Sequence, residues 1–325
     1  MEIQQLQDIY GRHPMIRRLG KALARADVRS IRLSGLQGSA APLFFASFAL
    51  RCPQQLGAPY LFVMNDEEEA AYFYQDMVQL LGDEQVLYFP SSFKRAVKYG
   101  QRDSANVVLR TEVLSRLSGG ALPLFVITSP QALSEQVIDS SSLQGHTLEL
   151  SVGDARDIMD VQQSLLDMGF LRVDYVYEPG QFALRGSLLD VYSYSSELPY
   201  RIDFFGDEVD SIRTFDVQDQ LSVKKLQHVS IIPDSSAQAD VSVQSFLSFL
   251  PEDTLFIARD TIYICDRVQK IWTDGFSAQA LLVQESEGQY EEIPKGTPQD
   301  SPAQGQALLD RDPLLTPPDP FSSHL

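Results

Sequence analysis

Residues 172–213 read RVDYVYEPGQFALRGSLLDVYSYSSELPYRIDFFGDEVDSIR. The stretch alternates apolar and polar residues, turns at Glu178-Pro179-Gly180, alternates again, loops from Ser193 to Pro199 and alternates a third time. Period-two alternation belongs to strands with one buried face, so an antiparallel sheet is expected here. The same strands carry Arg172, Arg185 and Arg201 among aromatics such as Phe182 and Tyr192. No His, Cys or Ser constellation accompanies them, which points to recognition before covalent chemistry. Phe204, Phe205 and Phe215 read as core, and Asp207-Glu208 as a turn between strands.

Upstream, the texture differs. Residues 1–27 carry Ile3, Leu6, Ile9, Tyr10, Ile16, Leu19 and Leu23 at helical spacing. Ser30–Ser34 reads as a short strand, followed by the glycine turn Gly35-Leu-Gln-Gly38-Ser39 and an apolar helix from Ala40 to Arg51. Strand, glycine turn and helix form the setting of a phosphate-binding loop. That loop needs a lysine for the phosphates and a hydroxyl for Mg²⁺, but the positions counted from Gly35 are Ala40, Ala41 and Pro42. Apolar strands at Tyr60–Met64, Val86–Phe89 and Leu124–Thr128 then alternate with helices ending near Leu81 and Leu117, the sign of βαβ units on a parallel sheet. Lys94, Arg95, Lys98 and Arg102 form the one dense basic cluster, read either as a phosphate or partner contact or as a solvated loop.

From about residue 135 a strand at His146–Leu150 and a helix at Asp154–Met168 lead into the alternating stretch. The βα texture is expected to return with a strand at Val229–Ile232, a helix at Val241–Leu250, a strand at Leu255–Ala258 and a helix at Ile262–Trp272. The expected division is therefore 1–134 and 221–282 for a split parallel-sheet domain, 135–220 for an inserted α+β domain, and 283–325 for an acidic, proline-rich linker. Such a linker buries too little apolar surface to offset its ordering entropy.

The 325 residues, 44% hydrophobic, suffice for several domains. A net charge of −18 argues against broad electrostatic binding to DNA or anionic lipid, so DNA contact is expected to be weak or absent. No apolar run reaches the ~18–20 residues of a membrane span, and a cytoplasmic protein is expected. Cys52 and Cys265 sit in apolar runs and read as small core residues, and the four histidines are scattered, so no metal is expected.

The pattern V-x-E-P-G-Q-F-A-x-R-G-S-x-L-D-V at residues 176–191, followed by P-Y-R-I-D-F-F-G-D-E-V-D-S-I-R-x-F-D at 199–216, resembles the bacterial transcription-repair coupling factors and, more distantly, the excision-repair subunit UvrB. The resemblance implies an α/β fold, with a RecA-like parallel-sheet domain interrupted by an inserted α+β domain with antiparallel strands, as in UvrB. In both families this segment lies in the domain that docks the damage sensor UvrA. Carried onto this sequence, that implies UvrA docking through Arg185, Arg172, Arg201, Phe182 and Tyr192. Arginine and aromatic side chains are common interface anchors. Each arginine also has an ordinary reading as a surface ion pair, with Asp174 or Glu178 for instance, worth at most ~1 kcal/mol. Phe182 and Tyr192 read equally as core.

Where UvrB has an intact nucleotide site, this chain has Gly35, Gly38, Ala40, Ala41 and Pro42. Where UvrB has an Asp-Glu pair for Mg²⁺ and water, it has Ala258 and Arg259. The resemblance thus implies a module without catalysis or cofactor, ATP and Mg²⁺ serving only the translocase domains of a longer protein. Its partners would be UvrA and, within that longer chain, the RNA-polymerase-binding and translocase domains, with a role in autoinhibition. Two other readings stand beside it: an ATP-dependent DNA helicase fragment with its own nucleotide site, and a scaffold whose contacts are intramolecular.

Overall fold

The computed structural model describes residues 3–93, 103–120, 124–234 and 242–276. They fall into two compact units, the first made of Met1–Pro90, Gly119–Ala132 and Leu250–Asp266, the second of Ser91–Ser118, Leu133–Phe249 and the residues after 266.

The first unit is built on a four-stranded parallel sheet in the order Leu255–Ala258, Tyr60–Val63, Phe125–Thr128, Val86–Phe89. The two central strands are buried at every position, as unbroken apolar runs should be when helices cover both faces. Helix Ala40–Arg51 contributes Phe44, Phe45 and Phe48 to the core around them. Helix Glu67–Leu81 starts at Asp66, whose side chain accepts from Glu69 N at 2.8 Å, and three glutamates in its first turn complement the helix dipole. The N-terminal apolar pattern forms two helices, Ile3–Gly11 and Pro14–Leu23, separated at Arg12-His13 with proline opening the second. The strand expected at Ser30–Ser34 is absent: the segment is irregular and Ile31 is exposed. Arg32 in its middle would have to be buried in a parallel sheet, which its charge forbids.

The second unit holds the opening stretch. Its six-stranded sheet runs Ser222–Leu226, Glu208–Phe215, Tyr200–Phe205, Leu188–Val191, Gln181–Arg185, Leu171–Arg172, antiparallel except for the last pair. Alternation sorts the side chains. Phe182, Leu189, Val191, Ile202 and Phe204 pack with Val161 and Leu165 of helix Ile158–Asp167, while Ala183, Arg185, Asp190 and Arg201 belong to the opposite face. Hairpins turn at Gly186 and Gly206, both at φ 63°. Gly180 closes the Glu-Pro-Gly turn at φ 84°, and a Cβ there would lie 2.9 Å from the Tyr194 hydroxyl, so only glycine fits.

The strands of this unit run past residue 220. Ser222–Leu226 extends the sheet, and His228–Ile231, expected to resume the βα texture, instead pairs antiparallel with Leu148–Ser151. The helix expected at Val241–Leu250 is a strand, Val243–Ser245, paired with Gln136–Ile138, followed by one turn, Phe246–Phe249. Its Val-Ser-Val-Gln-Ser sequence has period two, and that pattern prevails. Cys52 is buried as expected, but Cys265 is exposed. Phe205, expected in the core, is 83% exposed, because Phe204 takes the inward position of the strand. The basic cluster Lys94–Arg102 and the linker 283–325 lie outside the described residues.

Helix Ser140–Gly145 carries a cap with a pH signature. Asp139 accepts from Ser142 N and Ser141 Oγ, both at 2.7 Å. The Ser142 amide, then the Ser141 hydroxyl, hold its carboxyl at about 2, below the ordinary 3.8. A depressed carboxylate stabilises the fold fully above its unfolded value, and the contribution fades as pH falls from there through the folded value. Urea unfolding across that range should show the loss in the wild type, whereas Asp139→Ala should cost about 1 kcal/mol at neutral pH and flatten this limb.

Candidate functional site

The outer face of the six-stranded sheet is organised around a buried carboxylate. Asp190 lies opposite Arg201 in the strand register, and its side chain is 1% exposed. Its Oδ1 accepts from Arg201 Nε at 2.7 Å, and its Oδ2 from Arg201 Nη2 at 2.9 Å and from Arg185 Nη2. Arg201 also donates from Nη1 to the Gln220 carbonyl at 2.9 Å and from Nη2 to Gln220 Oε1 at 3.1 Å, and lies 4.1 Å from the Phe215 ring centroid. Arg201 is therefore a structural group with 13% of its side chain exposed, its charge matched by Asp190.

Arg185 is placed differently. Its Nη1 donates to the Asp174 carbonyl at 3.2 Å, and its guanidinium lies 5.1 Å from the centroid of Tyr175, a ring that is itself more than half exposed. About a third of the Arg185 side chain remains open. The ion pair foreseen with Asp174 or Glu178 is made instead with Asp190, and Asp174 contributes only its backbone. On the edge strand beside it, Leu171 and Arg172 are exposed, as is Tyr177 in the following loop. Arg185 and Tyr175 thus present a cation and an aromatic ring together to solvent, whereas Arg172, opposite Phe182 in the register, belongs to the other side of the sheet edge. A planar guanidinium, with five N–H donors and a face that stacks on an aromatic ring, suits carboxylate recognition.

Two of the candidate residues lie elsewhere. Phe182 is fully buried in the inner core and offers no surface. Tyr192 packs beside Val176, Ala183 and Phe215, and its hydroxyl donates to the Glu197 carbonyl at 2.6 Å. Burial first, then the Glu197 charge, raises its pKa. Asp190, Tyr175 and Gln220 went unread in the sequence. Asp190 was findable, since it is the one charge in Leu188–Val191 and strand pairing sets it against Arg201.

In the other unit, Gly35 and Gly38 have φ of 87° and 53°. Ala40 N is bonded to Gln37 O at 3.1 Å, Pro42 has no N–H, and Ala41 packs against the core. A cavity of about 390 Å³ beside them is lined mostly by apolar groups including Leu33, Leu36 and Phe44. Ala258 ends its strand without a side-chain ligand, and Arg259 pairs with Glu69 at 2.9 Å. Among the described residues, no group of three or more His, Cys, Asp or Glu is placed to hold a metal, and no helix is long and apolar enough to cross a membrane.

Comparison with known proteins converges on the same stretch. The family model for the UvrB interaction domain matches residues 148–236. The chain is 32% identical over 205 residues to the transcription-repair-coupling factor of Escherichia coli, 29% over 202 residues to that of Bacillus subtilis and 31% over 209 residues to that of Myxococcus xanthus. Each match covers 62% of this chain and 17% of the relative, so the chain spans about a sixth of the length of these curated relatives. The matched span contains the six-stranded sheet and the helix packed on it, and the chain therefore carries a UvrB interaction domain within a segment homologous to the transcription-repair-coupling factors.

Proposed function

We propose that this chain is a binding module of transcription-coupled repair that recruits UvrA, and that it neither binds nor hydrolyses ATP. The observation that carries the reading is Arg185, held by a buried carboxylate yet open to solvent and lying on the exposed Tyr175 ring. Supporting it are the match to a UvrB interaction domain and the kinship to coupling factors. Arg172, exposed at the sheet edge, is the second docking arginine, whereas Arg201 and Tyr192 hold the sheet around Arg185. The absence of hydrolysis rests on Ala40, Ala41 and Pro42 at the helix head and on Ala258 and Arg259 at the strand end, which supply neither a phosphate-binding cation nor a Mg²⁺ ligand.

Calorimetric titration of the 325-residue chain with UvrA tests this. The wild type should bind, and Arg185→Ala should weaken binding by roughly thirtyfold, the scale of a central interface anchor. Arg172→Ala should weaken it less. Lack of binding by the wild type, or equal binding by both variants, would reject the docking assignment. Measurable ATP hydrolysis by the chain would favour the helicase-fragment reading instead.

A further inference from the structure

A carboxylate has two oxygens and about four lone-pair directions. On Asp190, Arg201 takes one position on each oxygen with its Nε and Nη2, while Arg185 Nη2 takes another on Oδ2. With Arg201 in place, Arg185 meets the carboxylate from the more exposed side, and Asp174 O and the Tyr175 ring fix the remainder of its guanidinium. Three of its five N–H hydrogens have no acceptor among the described residues. An arginine ordered before its partner arrives loses less conformational freedom on binding.

Arg201 is held in turn from behind. Gln220, at φ 62°, is the one non-glycine residue with positive φ among the described residues. Its main-chain N–H bonds Asp216 O at 2.9 Å and its Nε2 bonds Val217 O at 2.9 Å. That leaves its carbonyl and Oε1 aimed at Arg201. A conformation of this kind persists where its surroundings determine it, and it commonly marks a site with a task.

We propose that Asp190 is a positioning residue for docking, which orders Arg185 toward the partner, and that Gln220 clamps Arg201 so that Asp190 keeps its place. The proposal rests on the reading of Arg185 as the UvrA-docking arginine. The partner group it fits is a carboxylate able to accept the outward N–H pair of Arg185 while packing against Tyr175.

The test is a double-mutant cycle on the full chain, with UvrA affinity measured by calorimetry and folding checked by thermal unfolding. Asp190→Asn keeps the size of the side chain but removes its charge. It should weaken UvrA binding by nearly the same factor as Arg185→Ala, and should add nothing in the Arg185→Ala background. Gln220→Gly permits φ 62° and keeps the carbonyl contact to Arg201 while deleting the Oε1 contact and the Nε2 bond to Val217 O, so it should give a smaller loss that also disappears without Arg185. An Asp190→Asn loss of equal size with and without Arg185 would overturn the proposal and leave the docking reading intact. If wild type and Arg185→Ala bind alike, the docking reading fails and the proposal with it. Should Asp190→Asn not fold, Gln220→Gly decides, and wild-type affinity in that variant overturns the proposal.

Discussion

Phe182→Ala should destabilise the protein by about 3–5 kcal/mol, the usual cost of emptying a buried phenylalanine site. The ring is fully buried among the side chains of the inner core, where Leu165 and Val161 of the helix face Val191 and Ile202 of the sheet. The loss combines transfer of the ring to water with a cavity that a helix packed on a sheet closes only in part. A lowered urea midpoint with unchanged slope is the expected readout. Under conditions where the variant is folded, its affinity for UvrA should equal that of the wild type. A stable variant with weakened docking would reverse the assignment and return Phe182 to the surface.

Glu135→Ala should cost a comparable amount, about 3–5 kcal/mol, because it removes one partner of a buried ion pair. Glu135 is 3% exposed and pairs with Arg110, 8% exposed, at 3.4 Å. It accepts from Ser91 Oγ at 2.6 Å, and from Ser92 N at 3.0 and 3.1 Å and Ser92 Oγ at 2.6 Å. Removing the carboxylate takes the ion-pair partner from Arg110 and the acceptor from Ser91 and Ser92, and each buried group that loses its bond adds its own desolvation cost. Replacing Ser91 or Ser92 singly by alanine should cost only about 1 kcal/mol, since the remaining donors still meet the carboxylate. If Glu135→Ala unfolds at the wild-type urea concentration, the network contributes nothing net.

The unlike fates of these residues show what the chain discloses before folding. Period-two alternation from Gln181 to Phe215 gave the strands and the inward set Phe182, Ile202 and Phe204, because a sheet with one buried face leaves that signature in any order of pairing. It did not reveal which polar groups of the outer face meet. Asp190 and Arg201 are eleven residues apart and touch only because hairpin register sets them opposite. Glu135 has no local pattern at all, since its partners Ser91, Ser92 and Arg110 come from distant segments. The strand at Val243–Ser245 escaped for another reason. Three residues of alternation resemble one turn of a helix, and only the partner strand Gln136–Ile138 decides between them. The family pattern located Arg185 by its neighbours in sequence, but its availability depends on Asp190, Asp174 and Tyr175 together.

The packing at the head of helix Ala40–Arg51 limits which residues can replace those present. Ala41 rests against the aromatic core and Pro42 is buried, so these positions belong to the packing of the sheet. A lysine at 41 would have to thread its ammonium out of that cluster, and a hydroxyl at 42 would enter apolar surroundings. Fitting a phosphate-binding lysine and hydroxyl there would therefore require repacking Leu33, Leu36 and Phe44 as well. Either substitution made alone meets a packing cost before any phosphate could be held, so the aromatic core itself acts as a barrier to a nucleotide grip at this helix head.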